Sequence, residues 1–347
     1  MKKIAVLMGG TSSERKVSLE SGHNVAEALA SLGKYEVVPI DLKEESLDAL
    51  PDGIDAAYIA LHGGWGENGG VQAALNARKI PYTGPGVLAS QIAMDKVKTK
   101  MKLEMNNVPT AAWGLASPDT AASPLPLPVV VKPPCDGSSI GISKVSRAED
   151  WAKARDAAFE VAKGDAEKVV LVEEFIPGRE FTVGVIDGKP LPAIEIVAKG
   201  GWYGYEEKYL SNETRYEFLC DKRGASDTGD ARDKATDCTD CHGLGENAPS
   251  PSRPSRPASR PDGLPANDAQ LEQTLQSLAV KAYEAVGCRG VTRVDFRVSP
   301  LGRCYVLELN TSPGFTAHSL VPKAGMKTGL TFAEVCDRIL ASADYDR

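Results

Sequence analysis

Two short runs decide how this chain is read: Arg293-Val294-Asp295-Phe296 and Val306-Leu307-Glu308-Leu309-Asn310. Each alternates polar with apolar residues, which is the pattern of a strand with one buried and one polar face. Ser299, Pro300 and Gly302 supply turn residues between them, so the two runs read as the arms of a hairpin. A register facing Ser299 with Cys304 sets Asp295 opposite Glu308 and Arg293 opposite Asn310. Carboxylates held that close repel unless a hard cation lies between them. Two anionic ligands and one amide, completed by phosphate oxygens, suit Mg2+. The ordinary alternative is a solvated sheet face with a surface ion pair. The metal reading gains from the loop that follows at once, dense in small and polar residues: Thr311, Ser312, Pro313, Gly314, His318 and Ser319.

Outward from this hairpin, the N-terminal part alternates strand and helix: strand 4–8, a Gly-rich turn, helix 17–32, then strands 36–40 and 56–61. That order predicts a parallel sheet, and such sheets bind ligands beyond the carboxyl ends of their strands. Glu14 and His62 both fall just past those ends in Gly-rich loops, so one crevice can receive both. Either residue alone would be an unremarked loop side chain.

The central part runs from a helical start ending near Asn107, through a Pro-rich connector at 123–128, to a strand at 129–132. Lys132 closes that apolar strand and needs an anionic partner there. The loop Asp136-Gly137-Ser138-Ser139-Ile140-Gly141 follows, and its N–H groups and hydroxyls can approach phosphate oxygens, although most such loops are only turns. A strand at 169–175 carries Glu173 and Glu174, and Pro177-Gly178 marks a break before Arg179-Glu180. Residues 199–216 mix glycines, aromatics and charges without a period, a composition shared by active-site lids and by packed surface excursions. Later, Leu271, Leu275, Leu278, Ala279, Ala282, Tyr283 and Val286 lie on one helical face, with Gly287 placed to cap the helix.

Bulk properties bound the function loosely. A chain of 347 residues exceeds what one core usually organises, so two or three domains are expected. The net charge of −7 argues against general nucleic-acid binding. No apolar run approaches the roughly 20 residues of a membrane span. The start, Met1-Lys2-Lys3 before a short apolar run, reads as a buried first strand rather than a signal peptide. Seven scattered cysteines form no disulfide framework, which suggests a reducing compartment.

The run 307–322, Leu-Glu-Leu-Asn-Thr-Ser-Pro-Gly-Phe-Thr-Ala-His-Ser-Leu-Val-Pro, resembles the C-terminal signature of the D-alanine:D-alanine ligases of the ATP-grasp superfamily. The resemblance extends in family order to residues 9–18, 60–63, 81–84, 94–96, 132–133, 136–141, 179–183 and 207–211. It implies a mixed α/β (α+β) chain: a Rossmann-like parallel-sheet domain over 1–90, then an ATP-grasp fold with a central subdomain over 91–178 and a C-terminal one over 179–347. It also implies ATP-dependent joining of two D-alanines through a D-alanyl phosphate, with ADP and phosphate released.

The same resemblance assigns roles residue by residue. Glu14 takes the first substrate's ammonium and forms a hydrogen-bonded set with Ser138 and Tyr209. Lys96, Lys132 and Lys208 hold nucleotide phosphates, and the loop with Ser139 covers them. Glu173, Glu174 and Ile176 line the adenine pocket, and Glu180 takes the ribose hydroxyls. Asp295, Glu308 and Asn310 hold two Mg2+ ions, for which Mn2+ can substitute. Arg293 and the Gly314 N–H stabilise the tetrahedral oxyanion, while Ser319 and the Leu320 N–H hold the second substrate's carboxylate. His62 lies near the substrates, its part as a base left open. Cytoplasmic location, a homodimer, and no nucleic-acid or membrane partner complete the expectation.

Two alternatives stand beside it. One transfers the acyl group to D-lactate, although Glu207-Lys208-Tyr209 matches the dipeptide-forming pattern. The other is a catalytically silent relative acting through residues 221–261, a stretch outside the family pattern. There Cys238-Thr239-Asp240-Cys241-His242 has the spacing of covalent haem attachment, or could hold zinc with Cys220. The Arg-Pro repeats that follow have too little apolar content to fold, so the stretch is expected to be a flexible surface insertion without metal.

Overall fold

The computed structural model describes residues 1–135, 140–162, 169–198, 214–222, 264–316 and 319–346. Expectations for Ser138, Ser139, Lys208, Tyr209, Cys238, Cys241, His242 and His318 therefore lie outside the described residues.

The chain opens with β1 (Lys2–Gly9), α1 (Arg15–Ser31), β2 (Tyr35–Leu42), β3 (Ala56–Ile59) and α2 (Gly70–Ala77). The strands form a parallel sheet in the order β2-β1-β3. As the middle strand of a sheet covered on both sides, β1 is apolar throughout its centre. Ile4, Val6 and Met8 pack with Val25 and Leu29 of α1, and Ala5 and Leu7 pack with Val71 and Leu75 of α2.

Next come α3 (Val87–Met94), α4 (Lys96–Met105), β4 (Trp113–Ala116), β5 (Val129–Lys132), β6 (Ser143–Val145), α5 (Trp151–Val161) and β7 (Val170–Glu174). The four strands make an antiparallel sheet ordered β4-β7-β5-β6. One face buries Val129, Val131, Val145, Val170 and Val172 against Trp151, Ala154 and Ala158 of α5. By strand alternation, Lys132 and Glu173 point from the other face.

The remainder comprises β8 (Arg179–Ile186), β9 (Lys189–Pro190), β10 (Ile194–Val197), β11 (Arg215–Phe218), α6 (Leu219–Lys222), α7 (Asp268–Val286), β12 (Val291–Val298), β13 (Cys304–Asn310), α8 (Leu320–Lys327) and α9 (Phe332–Ala341). Its antiparallel sheet runs β11-β10-β8-β12-β13, with β9 paired to β8. The expected helix at 271–286 is α7, closed by Gly287 at φ 77°, where an L side chain would be strained. α7 packs Leu271, Leu275, Ala279 and Ala282 against Val294, Phe296 and Val306 of the sheet.

Two features depart from the sequence reading. Helices α3 and α4 fall mostly within the central span expected at 91–178, yet Ala89, Ile92, Ala93, Leu103 and Val108 join the core of the C-terminal sheet. The hairpin also turns one residue out of the expected register, with Val298 rather than Ser299 facing Cys304. A bulge between Asp295 and Phe296 absorbs Leu307 and restores the expected pairs, Asp295 with Glu308 and Arg293 with Asn310.

The far end of the chain is woven into its beginning. Tyr82 bridges to Ala57 on one side and to Asp344 on the other. The Asp346 carboxylate accepts from the Val87 N–H at 2.9 Å and from Asn76 at 3.1 Å. Arg289 donates to the Tyr82 and Gly84 carbonyls at 3.1 and 2.8 Å and lies over the Tyr82 ring.

At the junction between the central and C-terminal sheets Gly178 adopts φ 129°, and a Cβ there would overlap the Val298 carbonyl oxygen. Gly178→Ala should therefore lower stability by about 2–4 kcal/mol, combining strained backbone with a backbone clash. Urea denaturation followed by tryptophan fluorescence measures this, with a lowered midpoint as the expected result.

Candidate active site

Strand alternation gathers the polar groups on one face of the C-terminal sheet. Glu180 and Thr182 of β8 lie opposite Arg297 and Asp295 of β12, and Asp295 and Arg293 lie opposite Glu308 and Asn310 of β13. Arg293 grips Asp295 with two nitrogens, Nε to Oδ1 at 2.9 Å and Nη2 to Oδ2 at 2.8 Å. The Thr182 hydroxyl donates to Asp295 Oδ1 at 2.6 Å. Arg297 pairs with Glu180 at 3.1 Å and donates to the Ile176 carbonyl at 3.2 Å. Asn310 accepts from the Ser312 N–H through Oδ1 at 3.0 Å, which orients its amide.

Asp295, Glu308 and Asn310 thus present neighbouring hard oxygens, a donor set that fits Mg2+. Among the described residues no group of three His, Cys, Asp or Glu side chains is arranged to hold a metal. Two carboxylates and an amide are what the register offers, and oxygens from a bound phosphate would have to complete the shell. Asp295 already serves Arg293 and Thr182, but a carboxylate has about four lone-pair sites, so further coordination remains open.

The central sheet faces this array. Lys132 is 8% exposed, and its ammonium feels the charges of Glu308 and Glu180 as well as that of Glu173, its direct ion-pair partner. Burial is the largest single influence and works against its charge, but the carboxylates of Glu173, Glu308 and Glu180 together move its pKa up. Glu173 also meets Lys100 at 2.8 Å. Burial would raise the Glu173 pKa, yet the two ammoniums hold it down to about 2. Its carboxylate is thus enclosed between two lysines, which leaves its backbone as the part that an adenine could meet. Glu174, one residue on, is exposed at the end of β7, and the buried Ile176 offers its carbonyl to Arg297. Lys96 begins α4, where its N–H reaches the Pro134 carbonyl at 2.9 Å and so ties that helix to the segment after Lys132.

The third wall comes from the N-terminal domain. Glu14 lies at the start of α1, and a side chain added to Gly63 would come within 2.8 Å of its Oε2. Both residues, with Ser12, Ser13, Asp95, Cys135 and Ile140, line a cavity of about 510 Å³. His62 is buried with both ring nitrogens engaged, at 3.0 Å from the Ser21 hydroxyl and 3.0 Å from the Ser312 carbonyl. Burial lowers its pKa, so the ring is neutral at neutral pH. In this structure it braces the two ends of the chain, joining Ser21 to Ser312. The Ser312 hydroxyl reinforces the brace by donating to the Leu61 carbonyl at 2.6 Å, and Phe315 meets Tyr58 edge to face at 5.2 Å.

Beyond this docked loop, Gly314 and Ser319 adjoin. A Cβ at Gly314 would come within 2.7 Å of the Ser319 hydroxyl, which accepts from the Thr316 N–H at 3.1 Å. Ser319 stands at the N-cap position of α8 without a side-chain capping bond and Leu320 opens the helix, so its N-terminus offers N–H groups and positive dipole to an anion.

Sequence reasoning missed Lys100, Glu67, Thr182 and Arg297. Arg297 continues the alternation of Arg293 and Asp295, a signal that was available, whereas Lys100 sits in a lysine-rich helical run whose pattern gives no sign of burial. Glu67 carried none. Burial, with the negative charge of Glu14 added, pushes its carboxyl up to about 7, and the Gly63 N–H only partly offsets this.

Two antiparallel sheets facing each other across lysines and carboxylates, with a parallel-sheet domain closing one side, define an ATP-grasp enzyme. Profiles described as "D-ala D-ala ligase N-terminus" and "D-ala D-ala ligase C-terminus" match residues 3–50 and residues 102–245 and 264–341. The chain is 41% identical over 345 residues to the D-alanine–D-alanine ligase of Syntrophotalea carbinolica, covering 99% of this chain and 96% of that one. It is likewise 41% identical to the enzyme so named from Aromatoleum aromaticum, over 346 residues and 98% of this chain and 96% of that one. The crystal structure of the D-alanine–D-alanine ligase from Bacillus anthracis superposes with a TM-score of 0.73 at 29% identity, covering 99% of this chain and 97% of that one. The chain belongs to the D-alanine–D-alanine ligase family. Within the C-terminal profile the match breaks over 246–263, a shorter stretch than the 221–261 expected to depart from the family.

Glu67 makes a prediction about pH. Its folded-state pKa near 7 exceeds the ordinary 4.5, so the stability it contributes is full below about 4.5 and is lost as pH rises through about 7. Glu67→Gln removes that dependence. The variant should melt at the wild-type temperature near pH 4.5 and above it at pH 8, in thermal scans without nucleotide or metal.

Proposed function

We propose that this protein uses ATP to join two D-alanines into D-alanyl-D-alanine, through a D-alanyl phosphate, for peptidoglycan precursor synthesis. The observation that carries the reading is the alignment of Asp295, Glu308, Asn310 and Arg293 on one sheet face within electrostatic reach of Lys132 on the other. Family membership supplies the substrate. Every relative named above is a D-alanine–D-alanine ligase, which does not favour the D-lactate alternative or a silent protein.

A carboxylate is a poor acyl donor, so the terminal phosphoryl group of ATP moves first to the carboxylate of one D-alanine, with ADP leaving. Lys132 and Lys96 hold phosphate oxygens, assisted by Lys208, Ser138 and Ser139. Ile176, Glu174 and Phe175 border the adenine, and Glu180, fixed by Arg297, takes the ribose hydroxyls. Asp295, Glu308 and Asn310 would hold Mg2+, which would supply neutralisation of phosphate charge. Glu14 orients the first D-alanine through its ammonium, with Ser138 and Tyr209 completing that set. The second D-alanine places its carboxylate on the N-terminus of α8 at Ser319 and Leu320; its amine attacks the acyl carbon, the C–O bond to phosphate breaks, and inorganic phosphate leaves as the amine nitrogen gives up its proton. Arg293 and the Gly314 N–H meet the oxyanion that forms there, contributions of about 3 kcal/mol each. His62 acts one step removed, by holding the Ser312–Phe315 loop against the N-terminal sheet.

A cytoplasmic homodimer is part of the proposal. Among the described residues no helix is long and apolar enough to cross a membrane.

The test is ADP release with Mg2+ and D-alanine, L-alanine or D-lactate, with products identified by mass. Dipeptide formation from D-alanine alone is the expected result, and a product containing D-lactate as the main species would overturn it. Glu308→Gln should reduce turnover by about a thousandfold or more with an unchanged circular dichroism spectrum, because the amide keeps the volume but loses the charge that Mg2+ needs.

A further inference from the structure

We infer that Lys100 is a positioning residue for nucleotide binding: by occupying one oxygen of Glu173, it keeps Lys132 available to an incoming phosphate. The inference rests on the proposed role of Lys132.

Three charged side chains meet here, Lys100, Glu173 and Lys132, with side-chain exposures of 1%, 3% and 11%. One carboxylate facing two ammoniums leaves the cluster with one positive charge in excess. Lys100 is fixed within it. Its ammonium donates to the Thr110 hydroxyl at 2.7 Å and to the Ala111 carbonyl at 3.2 Å, and it lies 2.8 Å from Glu173 Oε1 as an ion pair. Thr110 in turn donates to the Val306 carbonyl of β13 at 2.8 Å, so the lysine is anchored to the C-terminal sheet. Lys132 differs. It pairs with Glu173 Oε2 at the end of β5 and stands nearer the surface, within reach of the charges of Glu308 and Glu180.

The two lysines therefore divide the work of one carboxylate. With Lys100 present, Glu173 has its charge balanced and Lys132 is the excess cation that an anion can claim. Without Lys100, Glu173 and Lys132 would close into a neutral buried pair, and a phosphate would have to break that pair to bind. A buried charge without compensation is costly, which is why the excess cation seeks an anion and a neutral pair does not.

Charge arithmetic separates this role from simple packing. Counting the three side chains, the wild type carries +1, Lys100→Met carries 0, and Lys100→Met/Glu173→Gln returns to +1. Affinity for Mg2+-ATP, measured by isothermal titration without D-alanine, should fall about tenfold in Lys100→Met and recover to within about threefold of wild type in the double variant. Lys100→Arg should stay near wild type, and KM for D-alanine should be unchanged throughout. A double variant as weak as Lys100→Met, or weaker, would mean that Lys100 acts only through packing and would overturn the inference. If Lys100→Met does not fold, the double variant alone decides on the same criterion. Lys132→Met is the control for the underlying reading. Undiminished ATP affinity there would refute the phosphate role of Lys132, whereas lost affinity there with none lost in Lys100→Met would refute only the role of Lys100.

Discussion

A single extra residue in β13 governs how the polar face of the C-terminal sheet is built. Cys304 and Val306 point into the core, and uninterrupted alternation would send Glu308 and Asn310 after them. The bulge at Leu307 reverses the parity, so that Leu309 enters the core and the two polar side chains join Asp295 and Arg293 on the opposite face. The apolar packing beneath and the polar array above thus depend on the same backbone irregularity. A strand without it would bury a carboxylate and an amide among Val294, Phe296 and the leucines of α7, a far greater cost than an unpaired ladder position.

The hairpin shows how a sequence can yield the right pairing by an imperfect route. Facing Ser299 with Cys304 places the turn one residue out, and yet Asp295 still meets Glu308 because the bulge compensates by that same residue. The adjacent apolar pair Val306-Leu307 is its trace in the sequence, where strict alternation allows only one inward side chain. Strand β5 and helix α7 were legible because their patterns are local: an apolar run ended by Lys132, and a helical stripe ended by Gly287. Helices α3 and α4 were harder to assign. Nothing in a helical pattern says which of two neighbouring sheets will receive its apolar side.

Buried charge was the least legible feature of the site. Lys100 sits in the run Lys96-Val97-Lys98-Thr99-Lys100-Met101-Lys102, which reads as a solvated helix face, while Lys100 is almost wholly enclosed. Its environment is made by Glu173, Thr110 and Ala111, brought to it by folding. His62 presents the converse case. A histidine past a strand end in a Gly-rich loop invites a chemical role, but Ser21 and the Ser312 carbonyl occupy its ring from either side. The same chemistry that makes a residue eligible for catalysis makes it useful as a joint, and only its partners distinguish the two.

The threads from Asp344 and Asp346 to Tyr82, Asn76 and Val87 carry a consequence for biosynthesis. The first sheet is made early, but its edge beyond Tyr82 is finished by a segment more than 260 residues later. A nascent chain on the ribosome therefore holds an open sheet edge while the residues between Tyr82 and Asp344 are made, an edge available to pair with another chain. Ala57 and Tyr82 close part of that gap early, and the last strand-like contact comes only when residues 344–346 have left the exit tunnel.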